Sequence, residues 1–310
     1  MIASGSISER LRSPDLDTRR VALTELQDDF EVIDVAELLP LLKDDDATVR
    51  RLTVATLEEL GDERAIPALL DRAADENGDV AAAARASLRE FRTSDATALL
   101  IAGIAHTDEE ARAAAILAVR EHRSQLALPA LQIAAEDASP EVRREAIIAL
   151  AHLQDAQALP VLRAALRDPQ AEVRKIAVGA VAFFPQLATP IDLLPSLVDE
   201  DWQVRREAAI ALARFPSNAT AAGLQQALAD SHWQVVKESV TALGKLRVSV
   251  TAAILPFLQH ELADMRIATT NALGEIADPT ARAAVAALLH DPDTGVQKAA
   301  ARALERLGTI

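Results

Sequence analysis

The sequence predicts an all-α protein, a solenoid of about ten helical hairpins, and three observations lead there. One spacing runs the whole length of the 310 residues. One face of every unit carries the same small and aliphatic residues. Half of the chain is apolar while only 3% is aromatic, so the core has to be Ala, Leu, Val and Ile, a composition that favours helices.

The spacing is clearest where Trp202-Gln203-Val204 recurs as Trp233-Gln234-Val235, 31 residues later. With that valine as position 0, its equivalents are Thr18, Val49, Val80, Ala111, Val142, Val173, Val204, Val235, Met265 and Val296. Every interval is 31 except a single one of 30. Position +8 is Leu or Val throughout, from Leu26 to Leu304, and position +4 is always Ala, Ser or Thr. Apolar residues at 0, 4 and 8 lie on one helix face, and a small residue between them lets a neighbouring helix come close.

Each such helix is the second of a hairpin. The first helices are the apolar stretches upstream, as in "AIPALLDRAA", "ALPVLRAALRD" and "AILPFLQHEL". Between the two lies a turn of Asp, Pro, Ser and Gly, with Asp46, Asp108, Ser139, Asp201 and Asp293 at position −3 as helix N-caps and Pro140 in the first helical position. Acids there also face the positive end of the second helix, which accounts for much of the net charge of −15. The expected organisation is a single solenoid over 1–310, with 1–30 a truncated N-terminal cap and 278–310 a C-terminal cap whose alanines are interrupted by Lys298, Arg302 and Glu305.

Two more columns carry a family resemblance. Position −5 is Asp in seven units (Asp44, Asp75, Asp137, Asp168, Asp199, Asp230, Asp291), and position +1 is Arg in seven (Arg19, Arg50, Arg112, Arg143, Arg174, Arg205, Arg266). This resembles the Asp-to-Arg ladder of HEAT repeats, and the short period with "LGDERAIPALL" and "LRDPQAEVRKIAVGAV" is most similar to the HEAT-like repeats of the phycobilisome lyase family. The resemblance implies a right-handed α-solenoid with its second helices lining a concave groove. It further implies an accessory or lyase-like role in maturing or turning over a cofactor-bearing, bilin-type protein.

Bulk properties exclude several function classes. No apolar run approaches the roughly 18 residues of a membrane span, and the first residues lack the apolar stretch of a signal peptide, so a soluble protein is expected. With no Cys there is no thiolate nucleophile, disulfide or Cys-based zinc site, in keeping with the cytoplasm. The acidic balance disfavours general nucleic-acid binding, which needs a positive surface. The basic column below keeps a relation to HEAT-like DNA glycosylases as a lesser alternative.

Candidate binding residues lie opposite the core valine. Position +2 is basic in seven units, Arg144, Lys175, Arg206 and Lys237 among them. Its bland counterpart is a solvated face balanced by Glu145, Glu207 and Glu238. Position +9 turns small in the later units (Ala151, Ala182, Ala213, Gly244, Gly274), which is expected to deepen the groove, and Ile148 and Ile210 stand beside it at +6. Trp202 and Trp233, at −2, are the only Trp residues, and the other eight units manage without an aromatic there. They mark a recognition patch with Arg206 and Lys237, or else staple the adjacent turn.

Catalytic constellations are absent from the pattern. His106 and His260 fall in the −5 column, His232 is expected to cap a helix, and His122 replaces an apolar residue at +11. The di-iron hydroxylases built from HEAT repeats use several His-Glu dipeptides, whereas only His260-Glu261 matches here. The expectation is therefore a non-catalytic scaffold that holds a partner protein or peptide, bearing acidic and apolar groups, chiefly on units five to eight. No cofactor, metal or membrane is implied by the residues.

Overall fold

The computed structural model describes residues 6–28 and 33–308, and among these every regular element is helical. The parts of the expected caps at 1–5, 29–30 and 309–310 lie outside the described residues. The chain groups into two compact units, Met1–Ala158 and Leu159–Ile310. Each contains five of the ten hairpins.

In the first unit the second helices are Leu16–Asp28, Ala47–Leu60, Gly78–Ser87, Glu109–His122 and Pro140–Leu153. In the second unit they are Ala171–Val181, Trp202–Leu212, Trp233–Lys245, Ala263–Ile276 and Thr294–Leu307. The register read from the sequence holds along them. All ten residues at +4, from Ala22 to Ala300, are fully shielded from solvent. Where that residue is Thr53, Ser239 or Thr269, its hydroxyl donates to the carbonyl four residues back, at 2.8, 2.9 and 2.8 Å, so a polar atom enters the core already satisfied. Of the +8 column only Leu304, in the last helix, is more than slightly exposed.

The first helices that carry a proline divide according to its place. In Ile66–Arg72 and Leu128–Ala134 the proline sits in the first turn, where its missing N–H is no loss. Where a proline follows the first turn, as Pro40, Pro195 and Pro256 follow Val35–Leu38, Pro190–Leu193 and Thr251–Ile254, the α-helix stops and continues as the 3₁₀ segments Leu39–Lys43, Leu194–Val198 and Leu255–Gln259.

Charged rungs join successive hairpins. Nε and Nη2 of Arg50 donate to both oxygens of Asp75 at 2.9 and 2.7 Å, while its Nη1 donates to the carbonyls of Asp44 and Asp45 in its own turn. Arg112–Asp137 repeats this fork in the first unit, and Arg174–Asp199, Arg205–Asp230 and Arg266–Asp291 repeat it in the second. Each carboxylate also accepts the N–H of the residue two positions on, as Asp75 does from Asn77 at 3.0 Å. Burial pushes the Asp75 carboxyl up, but the Arg50 guanidinium and the Asn77 N–H outweigh it and hold the group below its ordinary value. Asp137, Asp199 and Asp230 are depressed through the same balance.

The two histidines of the −5 column explain themselves at this level. His106 and His260 stand where the preceding unit has Ala81 or Val236 in place of the arginine, so the carboxylate and its guanidinium are missing together. The imidazole keeps the other duty of the column. Nδ1 of His106 accepts from the Asp108 N–H at 3.1 Å, and that of His260 from Leu262 at 3.0 Å.

Candidate functional site

Within the second unit the five second helices pack one against the next and form a layer of their own. Asp201 accepts the Gln203 N–H at 2.7 Å and so starts a helix at Trp202. From there the indole reaches the following hairpin and stacks on His232, with centroids 5.5 Å apart and planes at 5°. His232 was expected to be a cap; it occupies the cap position, yet its side chain makes no capping bond. Instead its Nδ1 lies 3.3 Å from Nη2 of Arg205, which holds the ring under the indole. Trp233 carries the ammonium of Lys237 over its face at 5.7 Å. Both indoles are half-buried in contacts made by the fold itself.

The basic column is largely answered from within. In the first unit Arg144 pairs with Glu141 and, at 2.7 Å, with Glu145, which also receives Arg120 at 3.3 Å. In the second unit Lys175 pairs with Glu172 at 2.7 Å, and Arg206 and Lys237 share Glu238 at 3.9 and 3.6 Å. Glu207 is the counterpart of Glu145, but Ala182 stands where Arg120 would reach it. Burial therefore pushes the Glu207 carboxyl up, with Arg206 and Lys175 only partly offsetting it.

The small +9 column does not deepen a groove as expected. A Cβ on Gly244 would lie 2.6 Å from Cα of Ala272, and one on Gly274 would lie 3.0 Å from Cα of Ala303. These glycines are buried where adjacent second helices touch backbone to backbone. The helical wheel of a single helix points them outward, but the neighbouring helix closes over that angle.

The open apolar surface on this layer lies one position further along. Phe183, at +10, is 54% exposed, and Ile210 is 37% exposed. Arg214 bridges the two hairpins, its guanidinium 5.6 Å above the Phe183 ring and its Nη1 donating to the Ala182 carbonyl at 3.1 Å. Sequence reasoning missed Phe183 because Phe184, beside it, fits the buried +11 position. The signal was the doublet: every other +10 residue after Asp28 is charged or His, so a phenylalanine there departs from the column. Of the residues expected to bind, Arg144 and half-buried Ile148 belong to the first unit, and Lys175, Trp202, Arg206, Ile210, Trp233 and Lys237 to the second.

Further clefts open on the first-helix side of each unit. One of about 810 Å³ in the first unit lies among Leu39, Pro40, Leu70 and Leu99. Another of about 690 Å³ in the second lies beside Leu194, Leu197 and Val198. Among the described residues no group of three or more His, Asp or Glu is placed to hold a metal ion, and no helix is long and apolar enough to cross a membrane. Nδ1 of His122 lies 2.7 Å from the Thr97 hydroxyl. That hydroxyl donates to the Thr93 carbonyl, so the imidazole is the donor. Burial and the nearby Arg92 push its pKa down.

Stacked hairpins joined by arginine–aspartate rungs define a helical-repeat protein of the solenoid class. The HEAT repeat family model matches residues 6–89, 97–182, 129–198, 191–260 and 251–310, and the chain belongs to that family. Its fold is similar to an engineered protein at 21% identity, covering 98% of both chains with a TM-score of 0.54. It is also similar to the structure of Kap95p bound to RanGDP at 15% identity, with 97% of this chain matched to 50% of that one and a TM-score of 0.64. The Kap95–Nup1 complex aligns similarly, at 15% identity over 97% of this chain and 51% of that one, with a TM-score of 0.63. No curated protein matches the chain.

Proposed function

We propose that this HEAT-repeat chain is a scaffold without catalytic groups of its own, and that the second-helix layer of its second unit holds a segment of a partner protein. The observation that carries this reading is the exposed pair Phe183 and Ile210 beside Arg214. The fold does not require them, since the other units place polar residues at +10 and several place Ala, Thr or Gly at +6. Aromatic and arginine side chains at the centre of a contact are the groups that most often dominate binding. Trp202, Trp233, Arg206, Lys237 and Lys175 border the same layer and extend the surface. The Kap95 neighbours, solved with Ran and with Nup1, support a protein partner in general.

The test is affinity purification from the native host with the intact protein and with Phe183→Ala/Ile210→Ala, read by quantitative mass spectrometry. Loss of about 3 kcal/mol across two such anchors weakens capture by roughly a hundredfold. If the double variant folds and captures the same proteins at the same level, the layer is not the site. The finer likeness to phycobilisome lyase-type repeats carries a narrower role, service to a bilin-bearing protein in a reducing cytoplasm. An absorbance shift on titrating a bilin into the protein tests that role separately.

A further inference from the structure

Where a second helix runs that far, positions +6 and +10 lie one turn apart on one line; Phe183 and Arg214 stand just past the ends of Ala171–Val181 and Trp202–Leu212. In the first unit the +10 residues after Asp28 are Glu59, Glu90 and Glu121, followed by His152. The sign then reverses: the second unit has Phe183, Arg214, Lys245, Glu275 and Arg306. Across its last three hairpins this line borders a cleft of about 340 Å³, whose wall sets Lys245, Arg302 and Arg306 against the single carboxylate of Glu275. Glu275 is already taken by Arg306 and lies 4.0 Å from Arg247. Among the described residues, Lys245 and Arg302 have no carboxylate within ion-pair distance, unlike Arg144, Lys175, Arg206 and Lys237 of the basic column. A chain of net charge −15 thus keeps a local excess of uncompensated cations at one place on the layer.

We infer that the segment held by the second unit is an extended acidic peptide. It sets a large apolar side chain against Phe183 and Ile210, and two or more carboxylates in the cleft between Lys245 and Arg302. This rests on the scaffold reading above and adds the chemistry of the partner. Second helices pack about 8–10 Å apart, so the midpoint of the Phe183–Ile210 pair lies about 20–25 Å from the cleft. An extended chain at about 3.3 Å per residue spans that in roughly six to eight residues. Nucleic acid fits less well, because Glu207, Glu238 and Glu275 interrupt the cations and the first contact is apolar.

The experiment is selection of displayed random 16-residue peptides on the immobilised full chain. The expected winners are rich in Asp and Glu and carry one Phe, Leu, Ile or Trp about six to eight residues from an acidic pair. Lys245→Glu/Arg302→Glu, with folding checked by circular dichroism, loses at least tenfold in capturing them, and raising the salt weakens the wild-type contact. Neutral or basic winners, no winners, or equal capture by the charge-reversed variant overturns the inference. Host proteins lost with Phe183→Ala/Ile210→Ala but kept with Lys245→Glu/Arg302→Glu would remove the acidic assignment and leave the scaffold; proteins kept by both variants would remove both.

Discussion

Arg50 and Asp75 retain only 5% and 1% of their side-chain exposure, so neither charge can be met by water if its partner goes. Arg50→Ala leaves the buried Asp75 carboxylate with the Asn77 N–H and with Arg72, whose Nη1 donates to it at 3.1 Å. Because Arg72 still answers part of that charge, the expected loss is about 1–3 kcal/mol of unfolding free energy in urea titration, and a loss below about 1 kcal/mol would mean that Arg72 and water replace the rung. Acid attacks every such rung at once. Asp75, Asp137, Asp199, Asp230 and Asp291 all lie below their ordinary values in the fold. Their contribution is complete above the unfolded carboxyl value of about 3.9 and is lost as pH falls through the depressed folded values. Circular dichroism should therefore show a flat profile near neutrality and helix loss starting below about pH 4. These rungs were legible because Asp and Arg recur in fixed columns. The surface around Phe183 was less so, because recurrence reveals what the fold needs and a binding residue is a departure from it. The two Trp residues were such departures too, yet their rings proved engaged with His232 and Lys237.

At the scale of the element, the 0, +4, +8 register was readable since a helix has one period and the core selects for it. Two features escaped that logic. One is the contact at Gly244 and Gly274, which depends on how two helices meet rather than on either alone. Gly244→Ala sets a Cβ against the Ala272 backbone, and the expected cost is about 1–3 kcal/mol, measurable as a lower midpoint in denaturant. An unchanged midpoint would show that these helices slide apart freely. The other is the left-handed residue at +12, which closes helices at Gly61, Arg123, Gln154, Arg247 and Ala277. Only the first of these is glycine, so four units bear a conformation costing roughly 1 kcal/mol that a glycine would relieve. The sequence hides the position because its occupants share no chemistry.

For the whole molecule, low aromatic content and full-length repetition were enough to foresee a helical array, since nothing else buries so much Ala and Leu at a constant period. In an array each hairpin leans only on its neighbours, so damage stays local. Hydrogen exchange of Gly244→Ala should quicken in the helices Trp202–Leu212 to Thr294–Leu307 and leave Ala47–Leu60 unchanged. The histidines at 106 and 260 give this locality a mechanical meaning. Each compact unit contains one junction where guanidinium and carboxylate are replaced together, by Ala81 with His106 or by Val236 with His260. What holds these two junctions is therefore packing and outlying contacts, the Arg85–Glu110 ion pair at the first and the close approach of Gly244 to Ala272 at the second.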